Sequence, residues 1–493
     1  MHNIRQKKEG TATPLVYSTL LAAIFSAAML LTSCGGTNVS SAPQGFGTVS
    51  VTISDPPTCS APSGNFQSVY VTVRSVQAHT SATASNQSSG WQELAPQLVA
   101  LPVQVDLLHL PANGQCLLSQ LGSTSLPAGD YQQLRLLLLA NSAPSGPAPL
   151  TNACASLGQV FNCVVDSHGV FHTLDLSSQD TTGLKIPPGQ IMGGPIHVGS
   201  GQSVDINVDF DACRSVIHEG SGSYRLKPVL AAGQVSTNLT GISGQIVDQK
   251  TSLPIAGAMV AIEAPDSAGT DRIFMQALTD SSGRFSFCPL PLGATFDVVA
   301  DAVNSSGVAY NATIVLNVPG GTNVGAVPLT PETGTPNGPG TIQGAVTAIN
   351  GTLGANIDVV ASAFQTIPLS GGASRPVTIP PLPGSTAVFT TDAVSPCPAG
   401  SPAGAYCGSY ALVVPASNPS VGTFSAGQIS YVPPLSGNVL YQAEARAFRP
   451  SSGGAAICSP SLLTTSKDAS SQPLMVTAGA ATTASRLDFA GCS

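Results

Sequence analysis

Val204 to Ala212 reads VDINVDFDA. Val204, Ile206, Val208 and Phe210 fall on one side of an extended chain, and Asp205, Asn207, Asp209 and Asp211 on the other. That twofold alternation is the mark of a β-strand with one buried face. The pattern recurs outward from this stretch. Gly47 opens Thr48-Val49-Ser50-Val51-Thr52-Ile53, and Val69 to Val76 (VYVTVRSV) repeats it. Tyr131 to Leu139 (YQQLRLLLL) starts alternating and ends continuous, as a strand covered on both faces does. Tyr224 to Leu230 (YRLKPVL) completes the set, with Pro228 placing its end at a sheet edge. Strands punctuated by turns predict a β-sandwich or barrel-like module over residues 46–234. The fold class expected for the whole chain is all-β: tandem β-sandwich modules behind an N-terminal signal helix.

The chain has 493 residues, too many for a single core. Only 9% of residues are charged, 5% are aromatic, and 42% are hydrophobic, which is enough to bury cores. Net charge is −8, and the 17 lysines and arginines are scattered. Phosphate neutralisation needs clustered basic residues, so nucleic acid is excluded as a partner.

Arg5, Lys7 and Lys8 precede the uncharged apolar run Leu15 to Leu31, the layout of a secretory signal. Leu31-Thr32-Ser33-Cys34 then resembles a bacterial lipobox. The resemblance implies a signal peptide over residues 1–33 and a covalent lipid on Cys34, the only cofactor-like group expected. Residues 34–45 would be the lipidated cysteine and a flexible tether. An uncleaved membrane helix is the competing reading. The run is at the lower limit for crossing about 30 Å of hydrocarbon, and no basic stop-transfer cluster follows it. Gly35 stands where an Asp would signal inner-membrane retention, so the resemblance implies an exported outer-membrane lipoprotein, at the periplasmic face or cell surface. The membrane is then a partner through the anchor.

The first module also resembles a bacterial lipoprotein family, the domain of unknown function DUF4382. Leu126-Pro127-Ala128-Gly129-Asp130-Tyr131, Leu134-Arg135-Leu136, Asp209-Phe210-Asp211 and Leu226-Lys227-Pro228-Val229 carry the resemblance, with Asp106-Leu107-Leu108 upstream. It implies location and architecture but no chemistry. Residues 239–330 resemble the carboxypeptidase regulatory-like domain, which implies a transthyretin-like sandwich of seven strands. Its segments are Ile242 to Asp248, Pro254 to Val260, Thr279 to Phe287 and Phe296 to Ala300. Asp280-Ser281-Ser282-Gly283 reads as a turn with Gly283 at positive φ, and Phe285 and Phe287 as core. The module has no histidine, so peptidase chemistry is rejected. Pro331 to Gly340 reads as a linker. Residues 341–492 then read as a degenerate, enlarged copy of the second sandwich, because Ile342-Gln343-Gly344 echoes Ile242-Ser243-Gly244. Asn350-Gly351 signals a hairpin.

Eleven cysteines suit an oxidising compartment, and setting Cys34 aside leaves an even number. The closest pairs, Cys154 with Cys163 and Cys397 with Cys407, are expected to close local loops. Cys458 with Cys492 and Cys59 with Cys116 come next, which leaves Cys213 for Cys288.

All but one of the seven histidines lie in the first module: His79, His109, His168, His172, His197 and His218. His168 and His172 are four apart, but their flanks read as strand–turn–strand, so solvated loop histidines are expected rather than a metal site. Asp205, Asp209 and Asp211 are candidate Ca²⁺ ligands. Alternate side chains sit about 7 Å apart along a strand, so a solvent-facing row is the expectation. No G-x-S-x-G, H-E-x-x-H or P-loop motif occurs, and no catalytic residue is assigned. The expected role is structural or adhesive binding of envelope proteins or glycans, without catalysis. The alternatives are a carbohydrate-binding module, for which Tyr310 is the aromatic on offer in the second module, and a hydrolase seated in the first.

Overall fold

The computed structural model describes residues 45–55, 66–113, 116–142, 147–176, 182–192, 194–218, 223–227, 229–235, 241–291, 293–333, 335–448 and 458–492. Residues 44–493 form one compact unit, and nearly all of its regular structure is β-strand. Cys34 and the tether lie outside the described residues.

In the first module the stretch that alternates so strictly is the strand Ser203–Phe210. It runs parallel to Phe46–Ser54, from Thr48 opposite Ser203 to Ser54 opposite Asp209, and antiparallel to Leu230–Val235. This six-stranded sheet packs against a nine-stranded one built around the long strand Phe66–His79. Val204, Ile206, Val208 and Phe210 meet Val69, Val71, Val73, Leu134 and Leu136 in one core. The Tyr131–Leu139 stretch is divided. Gly129–Tyr131 pairs with Ile196–Val198, whereas Gln133–Leu138 joins the nine-stranded sheet.

The second module has seven strands in two sheets. Ile242–Asp248 sits between Arg284–Phe287 and Asn323–Leu329. The facing sheet runs Ala309–Pro319, Thr295–Val303, Met259–Pro265, Asp271–Leu278. Phe285 and Phe287 are buried between the sheets with Ile242, Val298 and Val315. Gly283 has φ +70°, and a Cβ there would meet the Ile246 carbonyl at 2.6 Å. The Asp280 carboxylate accepts from the N–H groups of Ser282 (2.8 Å) and Arg284 (2.9 Å), closing the turn.

The third module packs two sheets around its own core, and one of them is continuous with the second module's. Its strands Ser374–Ile379, Asp358–Pro368, Gln442–Phe448 and Leu462–Thr465 continue one end of the second module's four-stranded sheet. Ser420–Ser425 and Gln428–Val432 continue the other, and with Val388–Thr390 paired beside Asp358–Val360 this makes one sheet of eleven strands. Gly340–Asn350, Tyr406–Val414 and three short strands form a five-stranded sheet opposite. Ile314 and Leu316 of the second module share a core with Ile342, Val359 and Leu412 of the third. Asn350 pairs with Leu353 across Gly351, whose φ is +62°. The Pro331–Gly340 stretch is held at two points: Pro331 bridges Tyr310, and Ala309 N–H donates to the Asn337 carbonyl (3.0 Å).

Candidate functional site: a neutral pocket and the buried pairs around it

Where the Asp358–Pro368 strand passes the start of Ser420–Ser425 lies a pocket of about 330 Å³ walled by Phe364, Ile367, Val421, Val432, Leu435, Leu440 and Tyr441. Its polar residues include Gln365, Thr366, Asn418, Asn438, Gln442 and Ser466, and among the described residues no charged side chain lines it. Strand alternation puts Gln365 on the inner face with Ala363 and Ile367, and it is 2% exposed. Its Nε2 donates to the Ser417 carbonyl (3.4 Å), while Oε1 has no hydrogen-bond partner among the described residues. Asn418 Nδ2 donates to the Leu435 carbonyl (3.0 Å) and ties the outer loop to the wall. Tyr441 donates to the Pro415 carbonyl (2.8 Å), and burial pushes its phenol well up. Val432, Leu435 and Leu440 stay exposed at the rim. A pocket of this size, apolar with a few placed amides, suits a neutral ligand group.

Buried ion pairs fasten the modules around it. Arg225 of the first module forks onto Asp358 of the third through Nη1 (3.2 Å) and Nη2 (2.9 Å), and Asp358 is wholly buried. Arg272 of the second module forks onto Glu444 of the third (2.5 and 2.9 Å) and stacks over Phe364, a wall of the pocket. Arg375 of the third lies 3.0 Å from the Asp271 carboxylate and also pairs with Asp297, both of the second.

One arginine against two buried carboxylates leaves Asp271 short of compensation. Burial, then the neighbouring Asp297, pushes its carboxyl up to about 8. The unfolded chain releases that proton near the ordinary carboxylate value and the folded chain only near 8. Stability therefore falls as pH rises between those two values. Asp271→Asn is expected to flatten that slope and to gain on the parent progressively from acid to neutral pH, as urea unfolding at a series of pH values would measure. A parent protein whose stability is constant over that window would contradict the assignment.

The acidic row of the first module is corrected. Asp209 and Asp211 are 3% and 2% exposed, not solvent-facing. The parallel neighbour Phe46–Ser54 presents its own polar residues to them, and a hydrogen-bond ladder results. Thr52 Oγ1 donates to Asn207 Oδ1 (3.0 Å), Asn207 Nδ2 to Ser54 Oγ (2.8 Å), and Ser54 Oγ to Asp209 Oδ1 (3.0 Å). Asp55 ends the ladder, accepting from Ala212 N–H (2.7 Å), and its carboxyl is pushed well up by burial and then by Asp211. Asp205 is only half-buried. Among the described residues no three His, Cys, Asp or Glu side chains are grouped to hold a metal ion.

His168 lies in the turn of a hairpin between Cys163–Asp166 and Phe171–Asp175, whereas His172 is in its second strand, opposite Val164, and is not a loop residue. His172 Nε2 meets Asp166 Oδ2 at 3.0 Å, and this bond draws the Asp166 carboxyl down to about 2. His109 pairs with Asp106 (2.9 Å) and His197 with Asp130 (2.7 Å). His79 is not a solvated loop residue. It is buried, its Nδ1 accepts from Ser81 N–H (2.8 Å), and its Nε2 meets the Ser89 carbonyl (2.9 Å).

Cys154 is bonded to Cys163, Cys397 to Cys407 and Cys458 to Cys492. Cys116 is bonded to Cys288, with Cα atoms 5.0 Å apart. The pairings of Cys116 with Cys59 and of Cys288 with Cys213 are thereby corrected. The first module docks its Cys116–Pro127 strand where the second module's Cys288 emerges, a contact no spacing rule contains. Cys59 lies outside the described residues.

Tyr310 is 5% exposed and donates to Asp248 Oδ2 (3.0 Å), so it offers no platform for a sugar ring. The single tryptophan, Trp91, is covered by the Arg135 guanidinium at 4.3 Å.

These features define an all-β, multi-sheet protein held together by disulfides and buried ion pairs. More particularly, residues 46–228 match a family described as "Domain of unknown function (DUF4382)". No curated protein matches the sequence. Among solved structures, the Bacillus anthracis TIE protein is 9% identical with a TM-score of 0.16, over 90% of this chain and 50% of that one. The chain thus spans half the length of that protein. The shaft pilin SpaA of Lactobacillus rhamnosus GG is 12% identical with a TM-score of 0.18, covering 59% of this chain and 100% of the pilin. The minor pilin GBS52 of Streptococcus agalactiae is 10% identical with a TM-score of 0.17, over 51% and 95%. Likenesses at this level bear on no functional argument.

Proposed function

We propose that this is an exported, lipid-anchored envelope protein with a structural or adhesive role and no catalysis. It would hold its modules as one rigid body and offer the neutral pocket as a contact surface. The observation that carries this reading is the fastening of the modules. A covalent bond and three arginine forks cross the module boundaries, and one sheet runs through two modules. Inter-domain contacts that are small and polar let domains move, whereas these are buried and cross-linked. Bonded cysteines accord with an oxidising compartment outside the cytosol.

The second module's division into three and four facing strands supports its assignment as carboxypeptidase regulatory-like. The anchor is placed at Cys34, on the outer-membrane side of sorting, by the lipobox resemblance. Membrane fractionation with labelled palmitate tests it. The native protein is expected to take up label and sediment with membranes, and Cys34→Ser to lose the label and either appear soluble or stay unprocessed. Equal fractionation of both, without label in the native form, would overturn the anchor.

A further inference from the structure

We propose that the Gln428–Val432 strand pairs edge to edge with the same strand of a second copy of this chain, giving a closed two-fold dimer through one continuous sheet. The strand is one end of the eleven-stranded sheet, with Ser420–Ser425 as its neighbour. A two-residue turn joins the two, with Ala426 at φ +50° and Gly427 at φ +80°, and Ser425 opposite Gln428. In an antiparallel pair that closes on such a turn, alternate residues direct their N–H and C=O groups at the neighbour, beginning with the closing pair. Gln428, Ser430 and Val432 therefore face inward, and Ile429 and Tyr431 turn their backbone groups to the side where no described strand pairs.

Native sheets guard such edges with charge, proline or bulges. The strand Gln428-Ile429-Ser430-Tyr431-Val432 has neither charge nor proline, and its pairing has no register shift. Four of its five residues are exposed, Ile429 being the exception. Three other edges carry a guard. Asn323–Leu329 contains Pro328, Arg284–Phe287 begins with a charge, and Leu462–Thr465, at the sheet's far end, is half-buried over most of its length.

A second copy fits because the strand is complementary to itself. With the two-fold axis at Ser430, Ser430 faces its equivalent, Ile429 faces Tyr431 of the partner, and Gln428 faces Val432. No like charges meet, and each Ile429–Tyr431 pair sets a β-branched side chain against an aromatic one, a favoured cross-strand pair. The outward backbone groups of Ile429 and Tyr431 would then bond across the axis. An antiparallel pairing of identical edges closes on itself, so the product is a dimer and not a filament. This reading does not depend on the anchor at Cys34.

The test is sedimentation equilibrium on the compact unit that begins at Gln44, over a wide concentration range. The parent is expected to pass from monomer to dimer. Ser430→Lys or Ser430→Glu alone places like charges across the axis and should weaken the dimer at least about tenfold. An equimolar mixture of the two variants should restore it. Unchanged melting temperatures of the exposed-site variants would show that they fold. A parent that stays monomeric throughout, a dimer that survives each single variant, or a mixture that fails to recover would each overturn the pairing.

Discussion

Arg225→Met is expected to cost about 3–5 kcal/mol of folding free energy, the penalty for stranding one partner of a buried ion pair. Asp358 is wholly buried and depends on the Arg225 fork for its charge. Its other described partner, Thr390 Oγ1 at 2.7 Å, supplies a dipole and no charge, and Thr390 is itself held by Arg225 Nη2 at 2.7 Å. Removing the guanidinium thus breaks the pair and loosens the hydroxyl that would otherwise relieve it. Chemical denaturation of parent and variant measures the loss. Arg225→Met combined with Asp358→Leu should recover most of it, because replacing both charges with apolar groups of like volume removes the desolvation penalty along with the attraction. A single-variant loss below about 1 kcal/mol, the range of exposed pairs, would mean that water reaches Asp358.

Opening the Cys116–Cys288 bond by serine substitution at both positions should cost about 2–5 kcal/mol, toward the upper end because the loop it closes is long. The two residues are 172 positions apart and are buried beside Leu118. The bond limits how far the first module can separate from the second in the unfolded chain, and in the folded one it joins two separate cores. Calorimetry is expected to show one transition for the parent and, for the double variant, an earlier transition belonging to residues 46–235. Mass spectrometry of an unreduced digest should recover the Cys116 and Cys288 peptides joined. An unchanged melting profile in the double variant would remove the bond from any role in coupling the modules.

What could be read in advance was whatever depends on near neighbours in the chain. The face shared by Val204, Ile206, Val208 and Phe210, the turn at Gly283 and the hairpin at Gly351 each follow from local geometry. Cys154 and Cys163 are 9 positions apart and close a small loop. The polar side of the same Val204–Ala212 stretch was misread as wet. Alternation says which residues share a face and nothing of what covers that face. Here Thr52 and Ser54, on a strand about 150 positions away, cover it with matched hydrogen bonds. The neutral pocket had no signature at all, since its walls come from residues 364–368, 418–442 and 466.

The sequence by itself determined that the chain is a series of β-modules, because periodicity and turn chemistry act over a few residues. Only the tertiary structure decided that the second and third modules share a sheet, that Cys116 joins Cys288, and that Asp358 is buried under Arg225. Each of these is a meeting of distant segments. Which surfaces meet is set by the packing of whole sheets against one another, a property that no single stretch of the chain contains.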